Sequence, residues 1–449
     1  MEIILLISLF HSINLRSGIG QILQFAPLLS IFILTSDLEK EQIQKLFFII
    51  ITSSLILSVY GIYQYIWGFE HTKEYINLNL KPILETRYAR EILLTRRSIA
   101  TFFSPNMFAS YLSMIIPLCV GLLLDNIKKK KTFIFLIICL AFVFVSLLLT
   151  KSLAGWVGLS CGITVFLFFT VGAGRKIILI SAIAVLVIIS SLLLSRYNMF
   201  FDAANQQNTI SQRAGFFKNT TEIIKDFPLK GIGAGNLGNI YLKYKGFTDN
   251  ETRFSHNLFL QAWAETGLPG MAALIFLALC FFRASLRMKK NFTHIGIISS
   301  CYVFIANNLI DFSYYIPQVS FIWWAGLGAV SGQAAAITSK KSKKAIKLLI
   351  VMAIAFTIFL STRSLMALNY FRGGDYQKAV ATEPYNDLYH AAMKNYNEAI
   401  RLNPYFPFYY RDLGLLYLSK DMTEEAINEI EKASGLYPSN AQLHQLLLD

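Results

Sequence analysis

The chain has 449 residues, of which 55% are hydrophobic and only 15% are charged. This composition is too apolar for a soluble domain and indicates an integral membrane protein. The formal net charge of +14 does not indicate nucleic-acid binding, because the lysines cluster in short segments between apolar runs, as they do in membrane topology.

Eleven apolar segments are candidates for membrane spans, which need about 17 to 25 residues. They lie near residues 2–15, 19–35, 46–69, 99–124, 132–150, 155–171, 176–194, 258–282, 293–315, 318–337 and 348–366. The first is short, and it lacks the basic start and the cleavage site of a signal peptide. The sequence therefore predicts an all-α fold, a polytopic membrane helical bundle over residues 1–368.

Basic residues in the short loops predict the orientation of these spans. The strongly basic segments are residues 128–131, 175–176, 283–290 and 340–347. They alternate correctly along the chain if all four are cytoplasmic. The predicted outer segments are then two loops, at about residues 70–98 and 195–255, and the chain after about Arg363.

Residues 212–226 of the second outer loop carry apolar side chains at helical spacing. With Ser211 as the predicted N-cap, we expect a short amphipathic helix that lies on the membrane and stops at Phe227. Arg213 would lie in its first turn, where free backbone N–H groups favour an anion. The alternative is an arginine that contacts solvent or a lipid headgroup.

The glycine-rich segment that follows, residues 231–236, reads G-I-G-A-G-N. It lacks the G-x-G-x-x-G spacing of a nucleotide-binding turn. We expect a tight turn that lets the backbone approach a substrate or a helix.

Asp311 lies inside the predicted span at residues 293–315, where a carboxylate without partners would be costly. With the asparagine pair 307–308 it either forms hydrogen bonds within the bundle, which is the preferred interpretation, or lines a substrate cavity with the tyrosine pair 314–315.

His256 and Asn257 stand at the outer edge of the apolar segment 258–282. An imidazole at a membrane surface titrates near neutral pH and can exchange protons with a substrate. An interfacial histidine without a catalytic role is the alternative.

The pair His256-Asn257 is followed, after nine residues, by Gly267-x-x-Gly270. On this H-N-x9-G-x-x-G spacing the chain resembles the bacterial O-antigen ligases and the related lipid-linked glycan polymerases. Residues 97–106, R-S-I-A-T-F-F-S-P-N, resemble the family's R-x-x-G-T-F-x-x-P-N segment, with Ala100 where glycine is usual. Residues 211–236 resemble the arginine-bearing start of its large external loop. Together these similarities cover about residues 90–335.

The resemblance implies a GT-C-like membrane fold and transfer of a glycan from undecaprenyl diphosphate to a hydroxyl acceptor, either lipid A-core or a growing polysaccharide, outside the inner membrane. His256 would be the general base, and attack opposite the diphosphate would invert the anomeric centre. Five residues would bind substrate, with the arginines on the diphosphate: Arg96, Arg97, Arg213, Asn257 and Asp311. Because arginine presents a planar fork to phosphate oxygens, and because no D-x-D motif or His/Cys cluster is present, we expect no metal and no other cofactor.

The chain changes character after Asn369. Over about 34 residues it follows the tetratricopeptide pattern. The matching residues are Tyr410, Leu413, Gly414, Tyr417, Ala426, Ile430, Ala433 and Pro438. Residues 369–449 are therefore predicted to form an external tetratricopeptide-like tail. It has too few repeats to be stable alone, so it should lean on the membrane domain or on a partner such as an envelope protein.

Three classes of function remain open from the sequence. The first is the glycosyltransferase just described, as a ligase, a polymerase or a protein O-oligosaccharyltransferase; these share a donor and differ in the acceptor. The second is a small-anion transporter, which needs polar sites near the middle of the bilayer. The third is a membrane scaffold whose tail recruits other proteins.

Overall fold

The computed structural model describes residues 2–71, 73–74, 96–170, 209–288, 290–334 and 340–448. Across these ranges the protein is all-helical, with 18 α-helices and no strand, which confirms the predicted fold class. The chain divides into two compact units. The first unit comprises Met1–Ser30, Met199–Leu279 and Ile337–Asp449, and the second comprises Ile31–Asn198 and Cys280–Ala336.

The helices outside the tail are α1 (Glu2–Ser8), α2 (Leu15–Ser36), α3 (Lys40–Tyr63), α4 (Pro105–Asp125), α5 (Lys130–Thr150), α6 (Leu153–Thr170), α7 (Thr209–Asp226), α8 (Leu237–Tyr244), α9 (Leu258–Arg287), α10 (Phe292–Asn307), α11 (Pro317–Ala334) and α12 (Lys340–Arg372). The tail contains α13 (Tyr376–Thr382), α14 (Asp387–Ala392), α15 (Tyr396–Leu402), α16 (Pro407–Leu418), α17 (Thr423–Leu436) and α18 (Ala441–Gln445).

In the described part of the chain, seven helices are long and apolar enough to cross a membrane. They are α2, α3 with its continuation to His71, α4, α5, α6, α9, and α12 from Val351 onwards. In the first predicted span, α1 has only seven residues and is too short to cross, which corrects the prediction for residues 2–15. The predicted span at residues 176–194 lies outside the described residues, so the total of eleven stays a prediction.

The core of the second unit is built around α4, which is buried along most of its length. Small residues let the neighbouring helices come close. A Cβ added to Gly121 of α4 would lie 2.4 Å from the carbonyl oxygen of Phe292 in α10. A Cβ added to Gly158 of α6 would lie 2.1 Å from the Asn307 side-chain oxygen. Glycine at position 121 is therefore needed for the close approach of α4 and α10, and glycine at position 158 leaves room for the Asn307 side chain.

In the first unit, α9 is kinked at Gly267, whose φ and ψ are 69° and −169°. This region of backbone conformation is essentially reserved for glycine. Three backbone hydrogen bonds join α9 near this kink to the loop of residues 228–233. Leu268 N–H donates to the Pro228 carbonyl (3.0 Å), Ile232 N–H to the Ala264 carbonyl (3.0 Å), and Gly233 N–H to the Glu265 carbonyl (2.9 Å).

The glycine-rich loop is the tight turn that its sequence predicts, and what it approaches is a helix. Gly231, Gly233 and Gly235 all have positive φ, between 70° and 89°. A Cβ on Gly231 would lie 2.5 Å from the backbone of Glu265 in α9. A Cβ on Gly233 would lie 2.5 Å from Ser12, in the segment before α2.

The tail packs on α8 and on the loop that follows it in the same unit. Leu242 of α8 belongs to a buried cluster with Ala433, Tyr437 and Leu443 of the tail. The Tyr437 hydroxyl donates to the Glu251 carboxylate of the loop. Within the tail, α16 and α17 pack closely at Gly414, where an added Cβ would lie 2.7 Å from the Ile430 side chain. The tail therefore leans on the membrane protein's own loop, while its assignment as tetratricopeptide-like stays a prediction.

The N-terminal segment also contacts the tail. Arg16 forms an ion pair with the buried Asp387, with 3.7 Å between nitrogen and oxygen. Asn14 donates from its side-chain nitrogen to the Leu402 carbonyl (3.3 Å). The same Asn14 donates its backbone N–H to the side-chain oxygen of Asn236, at the end of the glycine loop (2.9 Å). The tail, the glycine loop and the chain start are thus joined within the first unit.

Candidate functional site

His256 lies in the turn immediately before α9. Its φ is 56°, in the left-handed region that few residues other than glycine adopt. The turn is closed by Ser255, whose hydroxyl donates to the Asn257 carbonyl (2.7 Å) and accepts from the Asn257 N–H (3.2 Å). The polar turn therefore ends where the long apolar helix begins, as the sequence predicted.

Asn257 has a clear structural role as the cap of α9. Its side-chain oxygen accepts hydrogen bonds from the N–H groups of Phe259 (2.9 Å) and Leu260 (3.0 Å). An asparagine at this position satisfies N–H groups that have no partner inside the helix. The predicted contact of Asn257 with substrate stays a prediction, and capping alone already accounts for an asparagine at this position.

The His256 ring stacks on Phe216 of α7. The ring centroids are 4.9 Å apart and the planes differ by 15°. Phe216 is buried, and it also meets the Tyr241 ring edge-on at 6.4 Å. The stacking fixes the plane of the imidazole against the helix that carries Arg213.

Arg213 lies three residues before Phe216, so the two side chains emerge from the same face of α7. Two details of the prediction are wrong. The helix already includes Thr209, so Ser211 is not its N-cap and Arg213 lies beyond the first turn. The free N–H groups of a helix start are therefore not what would favour an anion at Arg213; its own guanidinium has to supply the attraction.

A chain of buried hydrogen bonds connects the His256 turn to the first turns of α9 and to the start of α8. The Ser255 N–H donates to the Gln261 side-chain oxygen (2.6 Å). The Gln261 side-chain nitrogen donates to a Glu265 carboxylate oxygen (2.7 Å), which also accepts from the Leu237 N–H (3.3 Å). Gln261 and Glu265 are only 2% and 4% exposed.

Sequence reasoning missed Phe216, Gln261 and Glu265. Phe216 looked like one more residue on the apolar face of an amphipathic helix. The spacing of the other two carried a usable signal, because two polar residues four apart in an apolar segment lie on the same face of a helix.

Arg96 and Arg97 belong to the second unit and differ in environment. Arg96 is exposed and pairs with the equally exposed Glu70 at 2.5 Å. Arg97 is buried; its Nε donates to the Thr150 carbonyl and a terminal nitrogen donates to the Asn106 side-chain oxygen, both at 2.8 Å. Arg97 and Asn106, the two ends of the R-S-I-A-T-F-F-S-P-N segment, are thereby joined. Binding of a diphosphate by either arginine stays a prediction.

Ala100 in the same segment has φ 48°. Its N–H donates to the Gln64 side-chain oxygen (2.9 Å), which holds this conformation in place. Glycine adopts such a φ without a side-chain penalty, which gives the physical reason why glycine suits this position.

Asp311, also in the second unit, is buried but does not lie inside a helical span. Helix α10 ends at Asn307, and Asp311 follows in the turn, where it accepts the Phe312 N–H (2.8 Å). The helix ends there because the Asn308 side-chain oxygen accepts from the Ser313 hydroxyl (3.1 Å) and the Tyr314 N–H (2.8 Å), which closes a turn. The Asn307 side-chain nitrogen donates to the Ser113 hydroxyl of α4 (3.1 Å), while the predicted contact of Asp311 with substrate stays a prediction.

The carboxylates between the end of α7 and the start of α9 accept hydrogen bonds from a tyrosine hydroxyl and an asparagine amide. Asp226 accepts from the Tyr244 hydroxyl (2.5 Å), and Asp249 accepts from the Asn219 side chain (2.8 Å). Burial, and then the neighbouring Asp226, raise the pKa of Tyr244. Over the described ranges, no group of three or more His, Cys, Asp or Glu side chains is arranged to hold a metal ion.

The long apolar helices of the described residues indicate a multi-pass membrane protein, in which His256 lies in a polar turn at the start of one of these helices. The family model described as O-antigen ligase matches residues 135–275, which is less than half of the chain. The matched segment contains Arg213, His256 and Gly270, whereas Arg97 precedes it and Asp311 follows it.

The chain is also similar to an uncharacterized protein of Haemophilus influenzae. The two are 24% identical over 172 residues, which is 34% of this chain and 43% of that protein. The similarity thus spans less than half of the relative. No solved structure matches the chain.

Proposed function

We propose that this protein is a membrane glycosyltransferase of the O-antigen ligase type. It transfers a glycan from undecaprenyl diphosphate to a hydroxyl acceptor, lipid A-core or another glycan, on the outer side of the inner membrane. The observation that carries the proposal is the His256 turn. His256 has a left-handed backbone in the turn before α9, and its ring stacks on Phe216. Phe216 and Arg213 lie on the same face of α7, and all three residues are inside the segment that the family model matches.

In the proposed reaction, His256 removes the proton from the acceptor hydroxyl as the oxygen attacks the anomeric carbon. A bond forms between that oxygen and the carbon, and the bond from the carbon to the diphosphate oxygen breaks. The diphosphate leaves with the electron pair, and attack from the opposite face inverts the anomeric centre. General-base assistance of this kind typically contributes about a hundred- to ten-thousand-fold in rate.

Arg213 is proposed to bind the leaving diphosphate, because a guanidinium offers two parallel N–H donors to phosphate oxygens. Binding of a diphosphate by Arg97 is a separate proposal that the family resemblance implies, with its Asn106 contact fixing the guanidinium. The reaction is proposed to need no metal, so transfer should survive exhaustive chelation. Loss of activity with EDTA and recovery with magnesium would point instead to the loop carboxylates Asp226, Asp249 and Glu251.

The proposed orientation places the His256 turn and the tail outside the cytoplasm. Reporter fusions after Lys131 and Arg287 should then read as cytoplasmic, and fusions after Asn250 and Pro438 as external. A cytoplasmic reading after Asn250 would contradict both the orientation and the external reaction.

Reconstitution tests the activity itself. Purified protein in liposomes receives a glycan on undecaprenyl diphosphate, with or without a hydroxyl-bearing glycolipid acceptor. Ligase-type transfer predicts glycan on the acceptor and an unchanged donor when the acceptor is omitted. Longer lipid-linked glycans without acceptor would identify a polymerase, and no covalent transfer in either arm would reject the glycosyltransferase.

A further inference from the structure

Gln261 and Glu265 are buried polar residues in the first turns of α9, a helix that is otherwise mostly apolar in this stretch. Burying a carboxylate is costly unless hydrogen bonds compensate for the lost water. Their spacing of four residues brings the side chains together on one helix face, and the amide donates to the carboxylate over 2.7 Å.

The carboxylate determines which way the amide points. The Glu265 oxygen that faces Gln261 also accepts from the Leu237 N–H, so it is an acceptor and the NH2 end of Gln261 faces it. The oxygen end of Gln261 then faces the Ser255 N–H, at 2.6 Å. Ser255 directly precedes His256, so this bond holds the peptide that leads into the left-handed His256 backbone.

Glu265 also forms hydrogen bonds with the start of α8 and with the glycine-rich loop. The same carboxylate oxygen accepts the N–H of Leu237, the first residue of α8, at a helix start where negative charge is favoured. The Glu265 carbonyl accepts the Gly233 N–H (2.9 Å). One buried residue therefore links the glycine loop, the start of α8 and, through Gln261, the His256 turn.

We propose that Gln261 and Glu265 are positioning residues that set the His256 imidazole for proton transfer, through hydrogen bonds that run from Leu237 to Glu265 to Gln261 to Ser255. This inference rests on the proposed role of His256 as the base. A displacement of about 1 Å at a reacting group can cost about a hundredfold in rate, so holding the turn matters for kcat.

Exchange of the two side chains tests the inference in the full-length protein. Gln261→Glu places two carboxylates against each other, and Gln261→Met removes both side-chain hydrogen bonds without adding charge. In the double variant Gln261→Glu/Glu265→Gln the two bonds that reach Ser255 have a donor and an acceptor again, while the Leu237 N–H loses its acceptor, because the Glu265 oxygen that it shares with Gln261 is replaced by an NH2 group. The carboxylate introduced at position 261 would accept from the Ser255 N–H and from the amide introduced at position 265.

Thr266→Val is the matched control. Thr266 is buried in the same helix, and its hydroxyl donates to the Ala262 carbonyl (2.6 Å) rather than into the Ser255 chain. Each variant is purified, its thermal unfolding is recorded, and kcat and donor KM are measured on the folded fraction in liposomes.

We expect Gln261→Glu and Gln261→Met to lower kcat by about 10- to 100-fold, with donor KM changed by less than about threefold. The double variant should regain most of the kcat that Gln261→Glu loses, because the bonds that reach Ser255 are restored, and Thr266→Val should keep the parental kcat. Parental kcat in Gln261→Met, no recovery in the double variant, or an equal loss in Thr266→Val would each overturn the inference.

His256→Gln is measured beside them to separate the two proposals. An inactive His256→Gln with parental Gln261→Met rejects the positioning role and leaves the proposed function standing. Near-parental turnover of His256→Gln rejects the base, and the positioning role with it.

Discussion

Gly267→Ala is expected to damage the site by straightening or shifting the kink of α9. Gly267 has φ 69° and ψ −169°, and an added Cβ would lie 2.1 Å from the Leu229 carbonyl oxygen and 2.5 Å from its carbonyl carbon. Both of these atoms belong to the backbone, so a change of side-chain rotamer cannot relieve the clash. Either the Pro228 to Gly233 loop or the helix itself has to move.

The magnitude follows from two contributions. A residue with a side chain in this backbone region costs about 1–3 kcal/mol. Movement of the loop lengthens the nearest of the three loop-to-helix hydrogen bonds, Leu268 to Pro228, at about 1 kcal/mol. The free energy of unfolding should therefore fall by about 2–4 kcal/mol.

Gly20→Ala serves as the control, because a Cβ on Gly20 in α2 would meet nothing within 4 Å. It should leave stability unchanged or raise it by up to about 1 kcal/mol, the usual gain for alanine over glycine in a helix. Thermal unfolding in detergent and transfer in liposomes are measured for both. A Gly267→Ala protein as stable and active as Gly20→Ala would refute the reasoning about the kink.

The remaining predictions concern single side chains. Arg213→Lys keeps the charge but loses the planar fork, so it should reduce transfer about tenfold or more, whereas Lys218→Arg on the same helix should not; equal activity of Arg213→Lys and the parent would indicate a general electrostatic role. Asn257→Ala should destabilise the protein by about 1 kcal/mol through loss of the α9 cap, and Asn257→Ser should recover most of it; if serine restores stability but not transfer, Asn257 also contacts substrate. Tyr437→Phe removes the hydrogen bond to the Glu251 carboxylate and should cost about 1.5–3 kcal/mol, measured by thermal unfolding; unchanged stability would show that the tail does not hold the loop through this pair.

Local patterns in the sequence were sufficient to predict most helices of the membrane domain. Apolar segments of the right length became α2 to α6 and α9, and the break at Gly267 became a kink. These features depend on residues close together in the chain. The position of His256 at the start of α9 follows from the same local change from polar to apolar residues.

Contacts between distant residues were beyond such reasoning. Asn236 accepts from the backbone of Asn14 and donates to the Ser12 hydroxyl (2.8 Å), across more than 220 residues of sequence. No periodicity reveals that pairing. The stacking of Phe216 on His256 is similar, because an apolar residue on an amphipathic helix gives no sign of which ring it will meet.

Asp311 shows how polar side chains end a helix that apolar composition would continue. Hydropathy alone extends the span to residue 315, but the Asn308 side chain captures two donors and closes a turn after Asn307. Arg97 shows a different limit. Its similarity to a family motif predicted a substrate contact, whereas its bonds to Thr150 and Asn106 arise from partners that only the fold assembles.

The most direct test of the proposed function is the turnover of His256→Gln in the reconstituted transfer reaction. Glutamine preserves volume and hydrogen bonding but has no basic nitrogen, so packing alone would leave activity nearly intact. A general base at His256 predicts a fall of about a hundred- to ten-thousand-fold in kcat, in a protein that still folds and still binds the lipid-linked donor. Near-parental kcat in His256→Gln would contradict the catalytic role of this histidine.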